Sequence, residues 1–295
     1  MAELTKAPAV SAIIVVRNGI PYLAEAIESV LGQSLSDVEL LIVDDGSVDG
    51  TAAVLERYRA EHPEKIRLLS HLGGRNRGIA ASRNLGIANA RGSYVAFLDA
   101  DDVWLPQKLS EQIEILERDP ALGLVYGRTL IWHEWQNNPS RKDYYYRLGV
   151  KSDARYEPPI LFELLLENRA QTPTTCNAMI RADLFAKLGR FDPAARGMFE
   201  DLSFFGKALA LAPAYVSDRT WAKYRQHDAS CTALSSATGG DEWARLRALG
   251  RLDRALAGYA SPRSARGALR AARLRAGVEL TRRWRRALRR RLGLS

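Results

Sequence analysis

Short runs of apolar, mostly β-branched residues alternate with helix-forming segments through the first hundred residues of the chain. The apolar runs lie at 10–16, 38–43, 66–69 and 95–98. Segments with helical patterning separate them at 22–31, 51–58 and 79–90. Parallel strands buried on both faces have this composition, and strands that alternate with helices through short links form βαβ units. The sequence therefore predicts an α/β fold with a mostly parallel sheet flanked by helices.

Polar residues follow directly after three of these strands. They are Arg17 and Asn18 after the first strand, Asp44 and Asp45 after the second, and Asp99, Asp101 and Asp102 at the end of the fourth. Right-handed crossovers bring the C-terminal ends of parallel strands to one edge of the sheet, and open α/β sheets bind their ligands there. We therefore expect these side chains to converge on one site.

The segment that ends the fourth strand carries the strongest chemical signal. Asp99 and Asp101 are two residues apart, so in an extended segment both carboxylates point the same way. Such a pair favours a divalent cation, Mg²⁺ or Mn²⁺, which typically joins protein oxygens to the phosphates of a substrate. An acidic turn that caps the helix starting near Pro106 explains the same residues without a ligand. This segment alone leaves both interpretations open.

Two common phosphate-binding loops are absent from the sequence. The first strand is followed by Arg17-Asn18-Gly19-Ile20 rather than by the GxGxxG of dinucleotide folds, and no GxxxxGK[ST] loop occurs. Phosphates would therefore be held mainly by a metal and by side chains. Asp44 and Asp45 are suited to accept hydrogen bonds from a base or a ribose. Together these roles describe a nucleoside-diphosphate donor.

The second half of the chain is less regular. Strands are expected at 122–132, 215–216 and 220–224, and an extended segment at 172–180. Helices are expected at 160–168, 182–188 and 202–211, and Glu200 and Asp201 open the last of them. Residues 135–150 are predicted to form a polar, tyrosine-rich loop that either stacks on sugar rings or packs over the sheet.

The basic charge of the chain is concentrated at its C-terminal end. Residues 243–295 contain sixteen arginines and two acids, so the rest of a chain with net charge +9 carries 9 − 14 = −5. The composition changes after Gly239-Gly240, which predicts a main domain at 1–240 and an Arg-rich helical tail at 241–295. Within the tail, Trp284, Ala287, Leu288 and Leu292 recur at helical spacing. This pattern is typical of a helix on an anionic membrane surface or on an acidic protein partner, and a solvated helical appendage has the same pattern. No nucleic-acid-binding motif accompanies it.

Composition also bears on the compartment. The two cysteines, Cys176 and Cys231, form no CxxC pattern, which indicates a reducing environment without structural zinc or disulfides. There is no apolar run of membrane-spanning length, and the first residues lack the apolar segment of a signal peptide. We expect a cytoplasmic protein, or one held peripherally at the inner face of the membrane.

Ten motifs in the same order give the chain a family resemblance. They lie at 10–18 with Tyr22, 29–33, 39–47, 49–51, 76–78, 81–86, 97–102, 188–192, 200–201 and 224–227. Over residues 8–232 the chain resembles the family 2 glycosyltransferases, nucleotide-sugar-dependent enzymes of the GT-A fold. The resemblance implies a Rossmann-like mixed sheet, with a nucleotide-binding half at about 8–104 and an acceptor half at about 105–232.

The resemblance implies a role for each matching residue. The enzyme is expected to be inverting and metal-dependent, and to move a sugar from a UDP-, dTDP- or GDP-linked donor to a hydroxyl of a glycan or a lipid-linked acceptor in cell-surface polysaccharide synthesis. Asp101, in the Asp-x-Asp motif, and His227 are implied as ligands of Mg²⁺ or Mn²⁺. Asp201 is implied as the catalytic base, with Glu200 beside it as an acceptor ligand. The implied donor-binding residues are Val16, Arg17, Asn18, Asp44, Asp45, Arg83, Asp99 and Ala100.

Several of these residues also have plain structural explanations. Arg83 contacts the donor or forms a structural pair, Glu200 is an acid that favours a helix start, and His227 is a ligand or a satisfied surface histidine. The positive end of the helix is expected to keep Asp201 ionised near neutral pH. Two other functions remain: a non-catalytic module that binds nucleotide sugars or glycans, and a sugar-nucleotide pyrophosphorylase. A pyrophosphorylase would carry a glycine-rich basic loop after the first strand, which Arg17-Asn18-Gly19 does not supply.

Overall fold

A computed structural model describes residues 7–136, 140–195, 199–228, 230, 233 and 241–291, and for 241–242 and 283–291 it describes the backbone alone. The strands are β1 Val10–Val16, β2 Val38–Asp44, β3 Ile66–Ser70, β4 Tyr94–Asp99, β5 Val103–Trp104, β6 Leu124–Trp132, β7 Tyr144–Tyr145, β8 Ala154–Tyr156, β9 Met179–Arg181 and β10 Ala214–Arg225. The helices are α1 Leu23–Leu31, α2 Thr51–Glu61, α3 Ile79–Asn89, α4 Lys108–Arg118, α5 Ile160–Glu167, α6 Ala182–Leu188, α7 Leu202–Leu211, α8 Asp241–Leu256 and α9 Arg263–Arg291.

The strands form one mixed sheet in the order β3-β2-β1-β4-β9-β6-β10-β5, with β7 paired to β6 and β8 to β10. Strands β3, β2, β1 and β4 are mutually parallel, and β6 is parallel to β10. The short strand β9 is antiparallel to both β4 and β6, and so joins the two parallel parts. The predicted α/β class, a mostly parallel sheet with flanking helices, is confirmed.

Both faces of the sheet are buried, which explains the continuous apolar runs. In β1, Val10, Ala12, Ile14 and Val16 pack on the side of α1 and α2, and Ile13 and Val15 pack on the opposite side. Adjacent residues of a strand point to opposite faces, so a strand covered on both sides needs apolar residues at every position.

The two C-terminal helices pack against the main domain. Leu249, Leu252 and Leu256 of α8 and Leu269 of α9 are buried in the same core cluster as α5 and α7. Gly206 on α7 permits this packing, because a Cβ at that position would lie 2.7 Å from a methyl group of Leu252. No helix of the described part of the chain is long and apolar enough to cross a membrane.

Several details differ from the predictions. The two strands expected at 215–216 and 220–224 are one strand, β10, whose register against β6 shifts between Val216 and Ala222. Of the segment expected to be extended at 172–180, only its end belongs to a strand, β9. Residues 135–150 contain the short strand β7. The strands β5 and β8 were not predicted, since each has at most three residues and exists only through its pairing with β10.

Candidate functional site

The acidic turn after β4 faces the end of β10. Asp99 is the last residue of β4, and the chain turns through Ala100, Asp101 and Asp102 into β5. Strand β5 pairs with β10, and this pairing carries His227, just beyond β10, to the turn. Nε2 of His227 lies 3.0 Å from Oδ2 of Asp101. The two residues implied as metal ligands are therefore adjacent, although 126 positions separate them in the sequence.

The donor set at this position fits a divalent cation that is completed by substrate oxygens. Asp101 and His227 offer one carboxylate and one imidazole, and the Asp101 side chain is 33% exposed. Among the described residues, no group of three or more His, Cys, Asp or Glu side chains could hold a metal ion by itself. Mg²⁺ is commonly held by one or two carboxylates plus the phosphates of a substrate, so two protein donors suit this use.

Arg225, the last residue of β10, fixes the acidic turn from the side of the sheet. Its Nε donates to the carbonyl oxygen of Asp101 at 2.8 Å, and its backbone N–H donates to Oδ1 of Asp102 at 2.9 Å. Its Nη2 donates to the Glu25 carboxylate on α1. The side chain is nearly fully buried. Arg225 therefore holds both the main chain and a side chain of the turn that carries the candidate metal ligand.

Aromatic rings surround the Arg225 guanidinium. The distances from its Cζ to the ring centroids are 4.3 Å for Trp132, 4.9 Å for Tyr22 and 5.0 Å for Trp135. The Tyr22 ring also lies 4.8 Å from the ring of His227. Stacking on aromatic faces offsets the loss of hydration of a buried guanidinium. We call Tyr22, Trp132 and Trp135 the aromatic cage.

Asp102 is the last residue of the acidic turn and is fully buried. Its burial, the largest cause, and the neighbouring charges of Asp101 and Asp99 raise its pKa well above the ordinary value of an aspartate. The thiol of Cys176 lies beside it, and burial raises the pKa of that thiol as well. Burial at position 102 therefore disfavours a third negative charge beside Asp99 and Asp101.

The loop after β2 is organised by Asp45. Its Oδ1 accepts from the backbone N–H of Arg77 at 2.7 Å, and its Oδ2 accepts from the backbone N–H of Gly78 at 2.9 Å and from Nδ2 of Asn76 at 3.1 Å. The backbone N–H of Asp45 donates to the carbonyl oxygen of Val16 at 2.9 Å. Asp45 therefore joins the ends of β1 and β2 to the loop before α3, in addition to its implied contact with a base.

The turn after β1 is held by the turn after β2. The Asn18 backbone has a φ of 54°, and its side-chain oxygen accepts from the N–H of Val48 at 2.9 Å. Asp44 Oδ1 accepts from the backbone N–H of Ser47 at 2.9 Å and from its hydroxyl at 2.7 Å. The Ser47 hydroxyl oxygen in turn accepts from the N–H of Asn18 at 2.9 Å. Asp44 thus shapes this turn, while Arg17 is exposed at the same edge.

Arg83 connects the two halves of the site. From α3 its Nη2 donates to Oδ1 of Asp99 at 2.8 Å, and its Nη1 donates to Oε1 of Glu200 at 3.1 Å. Thr175 donates to the other oxygen of Asp99 at 3.0 Å. The Arg83 side chain is 2% exposed. Burial alone would lower the pKa of Arg83, but Asp99 and Glu200 outweigh it and the pKa is raised. Arg83 is thus a permanent cation between the turn after β4 and the start of α7.

Asp201 caps α7, and its side chain has a raised pKa. Its Oδ1 accepts from the backbone N–H of Leu202 at 2.8 Å. Burial, the largest cause, and the charge of the adjacent Glu200 raise the pKa of Asp201 to about 7. The expectation that the helix end keeps this group ionised near neutral pH is therefore wrong. The helix N–H and Arg83 do lower its pKa, but they do not outweigh desolvation and Glu200. A carboxyl group with a pKa near 7 is well matched to accept a proton at neutral pH.

The predicted site residues fall into contacting groups along one edge of the sheet. Asp101 contacts His227, Arg83 contacts Asp99 and Glu200, Asp44 contacts Ser47 beside Asn18, and Val16 contacts Asp45. Ala100 lies close to the turn after β1, because a Cβ at Gly19 would be 3.7 Å from the Cβ of Ala100. Sequence reasoning assigned no role to Arg225, although it lies in the motif at 224–227, and it missed Thr175 and Glu25, which no local pattern marks. Cys231, one of the two cysteines considered, lies outside the described residues.

Solved structures share this fold. The structure of residues 1–349 of S. aureus TarS in complex with UDP-GlcNAc matches 90% of this chain and 72% of that chain, with a TM-score of 0.69 and 17% identity. The mannosyltransferase PcManGT of Pyrobaculum calidifontis, in complex with GDP-Man and Mn²⁺, matches 94% of this chain and 75% of that chain, with a TM-score of 0.60 and 20% identity. At these identities the likeness establishes the fold.

Sequence comparisons establish the family. An uncharacterized glycosyltransferase of Rickettsia typhi is 32% identical over 233 residues, which are 79% of this chain and 68% of that protein. An uncharacterized glycosyltransferase of a Nostoc species is 30% identical over 251 residues, which are 81% of this chain and 71% of that protein. The family model described as glycosyl transferase family 2 matches residues 11–189. The chain therefore belongs to glycosyl transferase family 2 and is a glycosyltransferase.

Proposed function

We propose that this glycosyltransferase uses a nucleoside-diphosphate sugar, with UDP-, dTDP- or GDP-linked sugars as the candidate donors. The observation that carries the proposal is the ion-pair network of the buried Arg83. Arg83 pairs with Asp99, which ends β4 among the implied donor-binding residues, and with Glu200, which precedes α7 in the acceptor half. The candidate base Asp201 is adjacent to this network. The complexes of TarS with UDP-GlcNAc and of PcManGT with GDP-Man support a nucleotide sugar as the donor.

The donor's diphosphate is assigned to the Asp101 and His227 end of the site. These two side chains would hold Mg²⁺ or Mn²⁺, which when bound supplies positive charge against the departing nucleoside diphosphate. The Mn²⁺ in the PcManGT complex supports a divalent cation. The exposed Arg17 at the same edge offers a further positive group, and Arg225 keeps the acidic turn in place. The nucleoside is assigned to Val16, Asn18, Asp44, Asp45 and Ala100.

Asp201 is proposed to remove the proton of the acceptor hydroxyl. Its raised pKa makes it a stronger base than an exposed aspartate. Glu200, beside it, is proposed to bind the acceptor as well. A base on the face opposite the leaving group leads to direct displacement at the anomeric carbon. The reaction is therefore proposed to be inverting, so an α-linked donor yields a β-linked product.

The acceptor is proposed to be a glycan or a lipid-linked saccharide of the kind used in cell-surface polysaccharide synthesis. Tyr144, Tyr145 and Tyr146 are exposed on the hairpin of β6 and β7, and the Tyr144 and Tyr146 rings lie 5.5 Å apart. The same connection supplies Trp135 to the aromatic cage. Exposed aromatic faces next to a catalytic edge are suited to stack on the apolar faces of sugar rings.

The donor is best tested with purified protein and a panel of nucleotides. UDP, GDP and dTDP are titrated calorimetrically, each with Mn²⁺, with Mg²⁺ and with a chelator. Binding of one nucleotide that requires the metal supports the donor assignment, and the matching sugar nucleotides are then assayed for nucleotide release with saccharide acceptors. If the folded protein binds none of the three, the proposed donor class is wrong. Metal-dependent binding without release from any donor and acceptor pair would favour a binding module.

A further inference from the structure

The long C-terminal helix α9 has one face in the core and the opposite face in solvent. Ala265, Leu269 and Ala272 are buried against α8 and α5. On the other side, Leu274 is 71% exposed and Val278 is 47% exposed. They are four residues apart and so are neighbours on the helix surface. The described residues place no other element over them.

Arginines continue this row of side chains in both directions. Arg270 precedes Leu274 by four residues, and Arg282 follows Val278 by four residues, and all four side chains are exposed. Residues at i, i+4, i+8 and i+12 form one surface ridge, which we call the outer ridge. Arg275 lies beside it and is also exposed. The outer ridge therefore has an apolar centre with a cation at each end.

Helix α9 is strongly basic. Its segment at 263–291 contains twelve arginines and one acid, Glu279, whereas the chain before residue 243 is net acidic. Packing in the core requires only the buried Ala and Leu residues of the opposite face. That packing therefore explains neither the excess of arginines nor the exposed Leu274 and Val278.

We propose that the outer ridge binds the surface of a membrane that contains anionic lipids. Leu274 and Val278 would enter the boundary between headgroups and acyl chains, and Arg270, Arg275 and Arg282 would reach the lipid phosphates, because long arginine side chains bury their stems and extend their charge. RNA would use the arginines but leave the two apolar side chains without a role. The inference does not depend on the proposed donor or acceptor.

The test is co-sedimentation of the full chain with vesicles. Phosphatidylcholine vesicles with and without phosphatidylglycerol are compared at about 0.1 M and about 1 M NaCl, where the Debye lengths are about 10 Å and 3 Å. We expect binding to the anionic vesicles at low salt, and a large loss of binding at high salt or without phosphatidylglycerol. Absence of binding to anionic vesicles at low salt would overturn the proposal, and binding of an acidic protein or RNA instead would point to the other class of partner.

Two variants and a matched control test the ridge itself. Leu274→Glu combined with Val278→Glu is expected to weaken vesicle binding by at least roughly tenfold, and Arg270→Gln combined with Arg282→Gln by roughly twentyfold. Val48→Glu combined with Leu72→Glu changes the net charge by the same two units at exposed apolar positions of the main domain, 87% and 95% exposed. This control is expected to bind nearly as the parent does. Equal loss in the control would show that net charge alone drives binding, which contradicts a specific role of the ridge. Circular dichroism verifies that each variant is folded.

Discussion

His227 Nε2 and Asp101 Oδ2 lie 3.0 Å apart at the end of the sheet, although one residue follows β10 and the other follows β4. The pairing of β5 with β10 creates this contact, and Arg225 reinforces it through the Asp101 carbonyl oxygen. We expect the cation that bridges the protein to the donor diphosphate to bind at this pair. Substitutions of Asp101 and His227 therefore test whether this pair binds the cation.

Asp101→Asn and His227→Ala are each expected to abolish metal-dependent nucleotide binding, because among the described residues these two side chains are the donors that lie together for the cation. Calorimetric titration with Mn²⁺ measures the effect, and the residual affinity should equal that of the parent protein in chelator. His62→Ala, at the end of α2 and away from this edge, is the matched control and should bind like the parent. Unchanged Mn²⁺ dependence in both site variants would refute the metal assignment.

Arg225→Lys tests whether the Arg225 guanidinium positions the acidic turn. A lysine keeps the charge but cannot donate simultaneously to Asp101 and Glu25 in the same plane, and it stacks less well on aromatic rings. We expect the apparent affinity for Mn²⁺ in the presence of nucleotide to fall by roughly tenfold or more, by analogy with groups that orient metal ligands. Arg128→Lys, on β6 and paired with Asp218, is the control. A loss of stability with unchanged Mn²⁺ affinity would show that the role of Arg225 is purely structural.

Arg83→Met should destabilise the fold as well as the site. The substitution leaves Asp99 and Glu200 partly buried without their cation, and breaking such a pair costs on the order of 2–3 kcal/mol when the carboxylates retain some solvent contact. Chemical denaturation measures the free energy of unfolding. Arg67→Met, which removes a more exposed partner of Glu39, serves as the comparison and should cost less, because Arg91 still pairs with Glu39. Equal costs would mean that the Arg83 network is no more important than an ordinary ion pair.

The pH dependence of transfer should reflect Asp201. Because the pKa of Asp201 is raised to about 7, the group is largely protonated below that pH and cannot act as a base. We therefore expect turnover to rise with pH through about 7 and to fall tenfold per pH unit well below it. If turnover instead fell only near the ordinary pKa of an aspartate, the assignment of Asp201 as a base with a raised pKa would be contradicted.

The effect of Asp201 on the stability of the fold should have the opposite pH dependence to its effect on turnover. Turnover should rise with pH, whereas the contribution of Asp201 to stability should fall. The folded-state pKa of Asp201 exceeds its unfolded value of 3.8, so its contribution to stability is fully present below that value and is lost as the pH rises through about 7. Asp201→Asn removes this dependence. The variant should therefore gain stability relative to the parent between acid and neutral pH, as measured by denaturation at several pH values. Parallel stability curves would show that Asp201 titrates normally.

The first half of the fold was predictable because its signals are local. Strands β1 to β4 are apolar along their whole length, and each is bounded by turn residues within a few positions, so periodicity and composition define them. The position of Asp101 after a predicted strand made it a candidate, whereas the family resemblance alone implied the roles of His227 and Asp201. Their roles stay predictions, whereas their positions at one edge of the sheet are observed.

The rest depends on contacts between distant segments. Strands β5 and β8 exist only because β10 pairs with them, and nothing within two or three residues encodes that pairing. The aromatic cage draws Tyr22, Trp132 and Trp135 from separate elements around Arg225. The pKa of Asp201 was mispredicted for a related reason, since the helix position is visible in the sequence but burial is not.

The role of Asp201 as the catalytic base is tested by comparing Asp201→Asn with the parent enzyme on the donor identified by the nucleotide panel. We predict that the release of nucleotide in the presence of acceptor falls by roughly 10²–10⁴-fold, the usual contribution of a general base, while the affinity for the donor with Mn²⁺ changes little. Asp183→Asn, an exposed carboxylate on α6 in the same half of the chain, should turn over like the parent. Retained turnover in Asp201→Asn with normal donor affinity would show that this residue is not the catalytic base.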